Sequence, residues 1–224
     1  MVTVDAASVV QALTRVLRAT EDVQAELDEL DAVAGDGDHG VTMVLGWRAV
    51  AAALEANRPT SPGATLRVAA EAFADVGGTA GPLWGTALLR AGRAIGDAPS
   101  ASVCDLARAA QAAADGMRER GRCGDGDRTI VDAMAPAAVA LAAAASQRAE
   151  LADALQRAAA AAEGGAKATA WLEPRRGRAA RVPDRVRGHL DAGARACAAF
   201  WAAVASAASD ACGERQRAAR HRHP

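Results

Sequence analysis

Apolar residues recur at three- and four-residue intervals along almost the whole chain, and no stretch alternates long enough to make a strand. In the first segment Val9, Val10, Leu13, Val16, Leu17, Val23, Leu27 and Leu30 mark one face of a single amphipathic helix. The same period predicts helices over about 40–56, 62–76, 82–96, 102–120, 129–146, 150–172 and 190–212. Between them lie short breaks rich in stop and start residues: "NRPTSPG", "DVGGTAGP", "GDAPSAS", "GRCGDGDRT" and "EPRRGRAARVPDRVRGHLDAG". The expected architecture is therefore all-α, with eight helices in one domain over residues 1–212. Residues 213–224, "GERQRAARHRHP", read as a frayed, disordered basic tail with little structural pull.

Composition says how such helices must pack. Of the 224 residues, 51% are hydrophobic but only 3% are aromatic, so the core is filled by Ala, Leu and Val and the helices approach closely. Acids and bases nearly cancel, 27 against 26, which leaves no bulk polycation to hold a nucleic-acid backbone. Aromatic platforms for stacking single strands are scarce as well. Cys104, Cys123, Cys197 and Cys212 form no CxxC pair and suggest neither a zinc site nor a disulfide framework. The N-terminus lacks a basic region followed by a long apolar run, and charges interrupt the alanine-rich runs before membrane-spanning length. The expected setting is cytoplasmic, with no membrane and no nucleic-acid partner.

Four of the breaks carry more than punctuation. In "AVAGDGDHGVTM", Asp31 precedes Asp36 and Asp38 in the pattern Asp-x4-Asp-x-Asp. Three carboxylates forced together repel unless a cation lies between them, and hard oxygen donors suit Mg2+ or Ca2+. An Asp-Gly turn between helices is the plainer alternative. An EF-hand does not fit, because Val41 and Trp47 stand where glycine and glutamate are needed. Gly40 opens the next helix, where free N–H groups and the helix dipole would favour a phosphate. His39 is placed to touch a phosphate or ribose, or to serve only as a loop histidine.

In "VGGTAGPLWGT", Gly77 and Gly78 end one helix and Pro82 begins another, with Thr79, Ala80 and Gly81 as a tight link. Helix punctuation explains that stretch too, and without a lysine or a preceding strand it is no Walker A loop. "GDGDRTIVDAM" puts Asp127 and Thr129 at a helix start, where capping accounts for them. The last break carries six arginines, Arg175, Arg176, Arg178, Arg181, Arg185 and Arg187, against Glu173 and Asp184. Such a loop either clamps phosphates or is simply solvated; Asp191 after it either caps the last helix or meets a nucleotide.

Together "LDAVAGDGDHG", "VGGTAGPLWGT", "GDGDRTIVDAM" and "RRGRAARVPDRVRGHLDAGA", in that order, resemble the L subunit of dihydroxyacetone kinase, the nucleotide-binding partner also found as a domain of single-chain kinases. The resemblance implies an antiparallel barrel of eight helices with ATP or ADP at one end. It implies that Asp31, Asp36 and Asp38 hold Mg2+, as two ions bridging the phosphates. It puts nucleotide contacts on His39, Gly40, Val41 and Thr42, on Gly78, Thr79, Ala80 and Gly81, on Gly121 and Ile130, on Arg178, and on Asp191, Ala192 and Gly193. Three positions depart from the family pattern: Ala80 where serine is usual, Thr42 where asparagine is common, and Ala192 in place of a proline.

The activity so implied is phosphoryl transfer to dihydroxyacetone or another short ketose, with Arg178 meeting the charge that develops during transfer. The acceptor would be held by a separate K-type subunit, and the donor would be exchangeable ATP or ADP rephosphorylated by a phosphotransferase-system protein. A homodimer is compatible with the same reading. The alternative function is a non-catalytic regulatory protein that uses the nucleotide pocket as a sensor.

Overall fold

A computed structural model of the chain describes residues 3–220. Helix starts are chemically marked. Asp5 accepts the backbone N–H of Ser8 at 2.8 Å and caps α1 (Ala6–Asp22). Ser61, followed by Pro62, caps α4 (Pro62–Ala74), and a reciprocal Ser102–Asp105 capping box opens α6 (Val103–Gly121). The remaining helices are α2 (Gln24–Ala32), α3 (His39–Asn57), α5 (Ala80–Ile95), α7 (Val131–Ser146), α8 (Leu151–Ala168), α9 (Pro183–Val186) and α10 (Ala192–Arg220).

Around the molecule α1 packs on α3, and α3 to α8 pack each on the next. α8 then packs on α10, and α10 on α1. Eight helices thus close an all-α ring, as the periodicity predicts. Consecutive neighbours run antiparallel, joined mostly by short connections and, between α8 and α10, by a long one.

Three details differ from the sequence reading. The first segment is two helices, broken at Val23 (φ −105°, ψ 7°) without glycine or proline. Just past the break the start of α3 presses against α2 so closely that a Cβ on Gly40 would lie 2.2 Å from the Gln24 carbonyl oxygen. A short pair of strands, β1 (Val4–Asp5) and β2 (Ser100–Ala101), ties the N-terminus to the α5–α6 connection, too short to register as alternation. Residues 213–220, set apart as a basic tail, continue the backbone of α10, and 221–224 lie outside the described residues.

α7 contains Pro136, which cannot donate to the carbonyl of Asp132 one turn back. α8 exploits the gap: Gly165 fits against that carbonyl so tightly that a Cβ would lie 1.9 Å from its oxygen. The segment Ala192–Gly213 is long and apolar enough to cross a membrane, yet it packs as a ring wall against α1, α7 and α8.

Five of the six aromatic residues make one internal cluster. Trp47 lies 4.8 Å from Phe73, 5.4 Å from Trp84 and 5.8 Å from Phe200 between ring centroids, and Trp201 stacks edge-on to Phe200 at 5.7 Å. Trp84 borders two cavities. One is almost wholly apolar and runs inside the ring past Leu13, Leu88 and Leu155; the other is the more polar of the two and opens at one end. The sixth aromatic, Trp171, is 78% exposed.

Candidate functional site

In a ring of alternating helices, every second connection emerges at the same end. The connections α2–α3, α4–α5, α6–α7 and α8–α10 are the four motif-bearing breaks, so the topology alone gathers them at one mouth. There the polar cavity offers about 490 Å3 of space and opens to solvent.

The acidic trio converges at this mouth. Asp31, Asp36 and Asp38 each present a carboxylate oxygen, all within 4.8 Å of one another. Asp31 is the anchored member: its Oδ2 accepts the N–H of Gly37 at 2.9 Å, and its side chain is only 12% exposed. Asp36 and Asp38 stand at the exposed rim. Arg178 reaches in from the α8–α10 connection, donating from Nη2 to Asp31 at 2.9 Å and from Nη1 to Asp36. That guanidinium holds the Asp36 carboxyl down at about 2. Asp38 is displaced the other way, raised by its hydrogen bond with Asp36, by burial and by the neighbouring negative charges. One arginine against three crowded acids leaves the site short of positive charge, and the donor set is all hard oxygen; both fit Mg2+.

His39 lines the cavity with its Nε2 buried and without a hydrogen-bond partner, and burial lowers its pKa. A phosphate or hydroxyl entering the cavity would meet that atom.

The expectation of free N–H groups at Gly40 needs correction. Asp28, which sequence reasoning passed over, accepts the N–H of Gly40 at 2.6 Å and of Val41 at 3.2 Å, so this helix start is already capped by α2. Thr42 N–H bonds within the helix to Asp38, and Val41 is 43% exposed outside the cavity wall. The open helix start is that of α5, which carries no side-chain cap; Gly78, Thr79 and Ala80 line the cavity there. Gly81 instead permits close packing, since a Cβ would lie 2.0 Å from the Val76 carbonyl oxygen.

Gly121, Ile130, Asp191, Ala192 and Gly193 also line the cavity. Asp191 caps α10, its Oδ1 accepting the Ala194 N–H at 2.9 Å, while burial pushes its carboxyl up to about 6. At the start of α7 the Thr129 hydroxyl accepts the N–H of Val131 at 3.2 Å, as the capping reading expects, while Asp127 turns back to the N–H of Gly124. The Asp132 carboxylate ties the preceding turn by taking the N–H groups of Gly126 at 2.5 Å and Thr129 at 2.8 Å. Sequence reasoning also missed Arg128, 3% exposed in the cavity wall. Cys104, Cys123 and Cys197 are free thiols, and Cys123 lines the cavity.

The family model described as the DAK2 domain matches residues 33–206. This chain belongs to the DAK2 domain family. The DAK2 chain is 37% identical to a D-erythrulose kinase of Mycolicibacterium smegmatis over 83% of its own length, and spans about a third of that relative (33%). It is 31% identical to the ADP-binding subunit DhaL of the PEP-dependent dihydroxyacetone kinase of Escherichia coli, over 75% of this chain and 80% of that one. Among solved structures, the dihydroxyacetone kinase from C. freundii in complex with AMP-PNP and Mg2+ matches with a TM-score of 0.68 at 26% identity, covering 89% of this chain and 34% of that one.

Proposed function

We propose that this chain is the nucleotide-binding subunit of a cytoplasmic kinase for dihydroxyacetone or another short ketose, acting with a separate K-type protein that holds the substrate. The observation that carries this reading is the convergence of Asp31, Asp36 and Asp38, with oxygens within 4.8 Å, at the mouth of a cavity walled by the other three motifs. Relatives named as ADP-binding subunits and a neighbour solved with AMP-PNP and Mg2+ support it.

Phosphoryl transfer asks a protein mainly for charge and alignment. The trio would hold Mg2+, as two ions, which when bound supplies Lewis-acid neutralisation of the phosphate oxygens. Thr79 and the uncapped start of α5 would take a phosphate through N–H groups. The orphan Nε2 of His39 would add a hydrogen bond, and Ile130, Gly121 and Asp191–Gly193 would line the space for the nucleoside. Arg178, paired with Asp31 and Asp36, would turn to the phosphoryl group once cations supply the charge those acids need. Either ATP exchanges, or bound ADP is rephosphorylated by a phosphotransferase-system protein.

Titration calorimetry with Mg-AMP-PNP and Mg-ADP tests the site. Wild-type protein should bind, and Asp36→Asn should lose binding while its helical circular-dichroism spectrum stays unchanged. Undiminished binding by the variant overturns the metal assignment. Adding a K-type partner with dihydroxyacetone or erythrulose then tests the chemistry: absence of a phosphorylated ketose would leave a nucleotide-binding protein that is no kinase subunit.

A further inference from the structure

The α6–α7 connection contains a second Gly-Asp-Gly-Asp, residues 124–127, yet no acidic cluster forms there: Asp125 pairs with Arg118 at 2.8 Å and Asp127 accepts the N–H of Gly124 at 2.8 Å. The next residue, Arg128, has a left-handed backbone, φ +60°, at a position where glycine would cost nothing, and its side chain is 3% exposed. A buried guanidinium in a strained backbone persists only when its side chain is held by something.

Its partners all lie on the long α8–α10 connection. Nη2 donates to the carbonyl of His189 at 2.8 Å and of Val186 at 3.2 Å, and Nη1 stands 4.0 Å from Asp191 Oδ2. The preceding residue grips the other limb of the same connection. The carbonyl of Asp127 accepts the N–H of Arg175 at 3.2 Å, and its carboxylate faces Arg175 and Arg176 at 3.9 and 3.6 Å. Arg178 lies between these two attachment points and reaches Asp31 from there.

We propose that Asp127 and Arg128 form a clamp that closes the base of the arginine-rich connection and so positions Arg178 over the acidic trio. Asp127 holds the outgoing limb, Arg128 the returning limb. Neither is a catalytic residue; both act through Arg178. The consequence for transfer rests on the kinase reading above, whereas the mechanical part does not.

Hydrogen exchange on the full chain without ligand tests the mechanical part. In Arg128→Gly the backbone keeps an allowed conformation and only the side chain is lost. The amides of Gly188, His189 and Asp191 should then exchange faster by about tenfold or more, the size expected for losing hydrogen bonds from a charged donor, while those of α1 and α7 keep wild-type rates. Arg128→Lys should recover part of the protection. Unchanged exchange in the connection, or equal acceleration throughout the protein, overturns the clamp.

Activity with a K-type partner tests the second part. Arg128→Gly should lower kcat more than it raises the KM for nucleotide, and it should have no further effect in an Arg178→Ala background. Additive losses in the double variant overturn action through Arg178. A wild-type chain that binds no Mg-AMP-PNP would remove the kinase reading instead, and the exchange result would stand by itself.

Discussion

Arg178 donates to both carboxylate oxygens of Asp31, at 2.9 and 3.2 Å, across 147 residues of sequence. The guanidinium therefore sits where a metal ion's charge is wanted, and the two must compete for the same oxygens. Arg178→Ala should bind Mn2+ alone more tightly than wild type, by at most about fivefold given how exposed the pair is, while binding Mg-AMP-PNP more weakly. Electron paramagnetic resonance of free Mn2+ measures the first effect and calorimetry the second. Weaker Mn2+ binding by the variant would mean that Arg178 organises the trio rather than competing for it.

Asp191 sets a pH dependence of opposite sign to that of an ordinary paired acid. Burial raises its carboxyl from 3.8 to about 6 in the folded chain, so the fold favours the protonated form. Its contribution to stability is fully present below 3.8 and is lost as the pH rises through about 6; in energy it amounts to at most about 3 kcal/mol. Asp191→Asn keeps an acceptor for the Ala194 N–H and cannot ionise. Urea midpoints measured from pH 4 to 7 should fall less in the variant than in wild type. Parallel curves would remove Asp191 as the source of the slope.

Much of this arrangement was legible in sequence because it is local. Three- and four-residue apolar spacing marks the ring helices, and Ser61, Pro62 and Ser102 mark their starts. Given eight alternating helices, the gathering of the four motifs at one end requires no further information. The features that escaped are long-range. Nothing near Val23 breaks a helix, and the break coincides with the long-range packing of α3 on α2, Gly40 against Gln24. Asp28 has the same spacing relation to its neighbours as any solvated acid, and its role depends on N–H groups twelve and thirteen residues away. Arg128 acts on carbonyls 58 and 61 residues further on.

Gly78 and Gly81, near neighbours in any phosphate-binding reading, should separate cleanly under alanine substitution. At Gly81 a Cβ would lie 2.0 Å from the Val76 carbonyl oxygen, which only backbone movement can relieve. At Gly78 nothing lies within 4 Å, and the strain comes solely from φ +73°. Gly81→Ala should cost about 1–3 kcal/mol, and Gly78→Ala about 1 kcal/mol. Thermal denaturation followed by far-ultraviolet circular dichroism, which reports helix, gives the comparison; equal losses would contradict the packing role of Gly81.

Trp84 lines both the polar cavity and the apolar one. It is 1% exposed, and its indole ring is 5.4 Å from Trp47 and 5.1 Å from Phe200 between centroids. Removing it would join the two spaces and strip the aromatic cluster of its central contact. Trp84→Ala should therefore destabilise by about 3–5 kcal/mol. Trp84→Phe retains a ring in the wall and should lose markedly less. The chemical denaturation midpoint orders the variants for stability, and Mg-AMP-PNP calorimetry reads the floor of the polar cavity. If Trp84→Phe keeps nearly full stability yet loses nucleotide affinity, the indole itself contacts the ligand; if both quantities follow ring volume together, Trp84 is a partition between the two cavities.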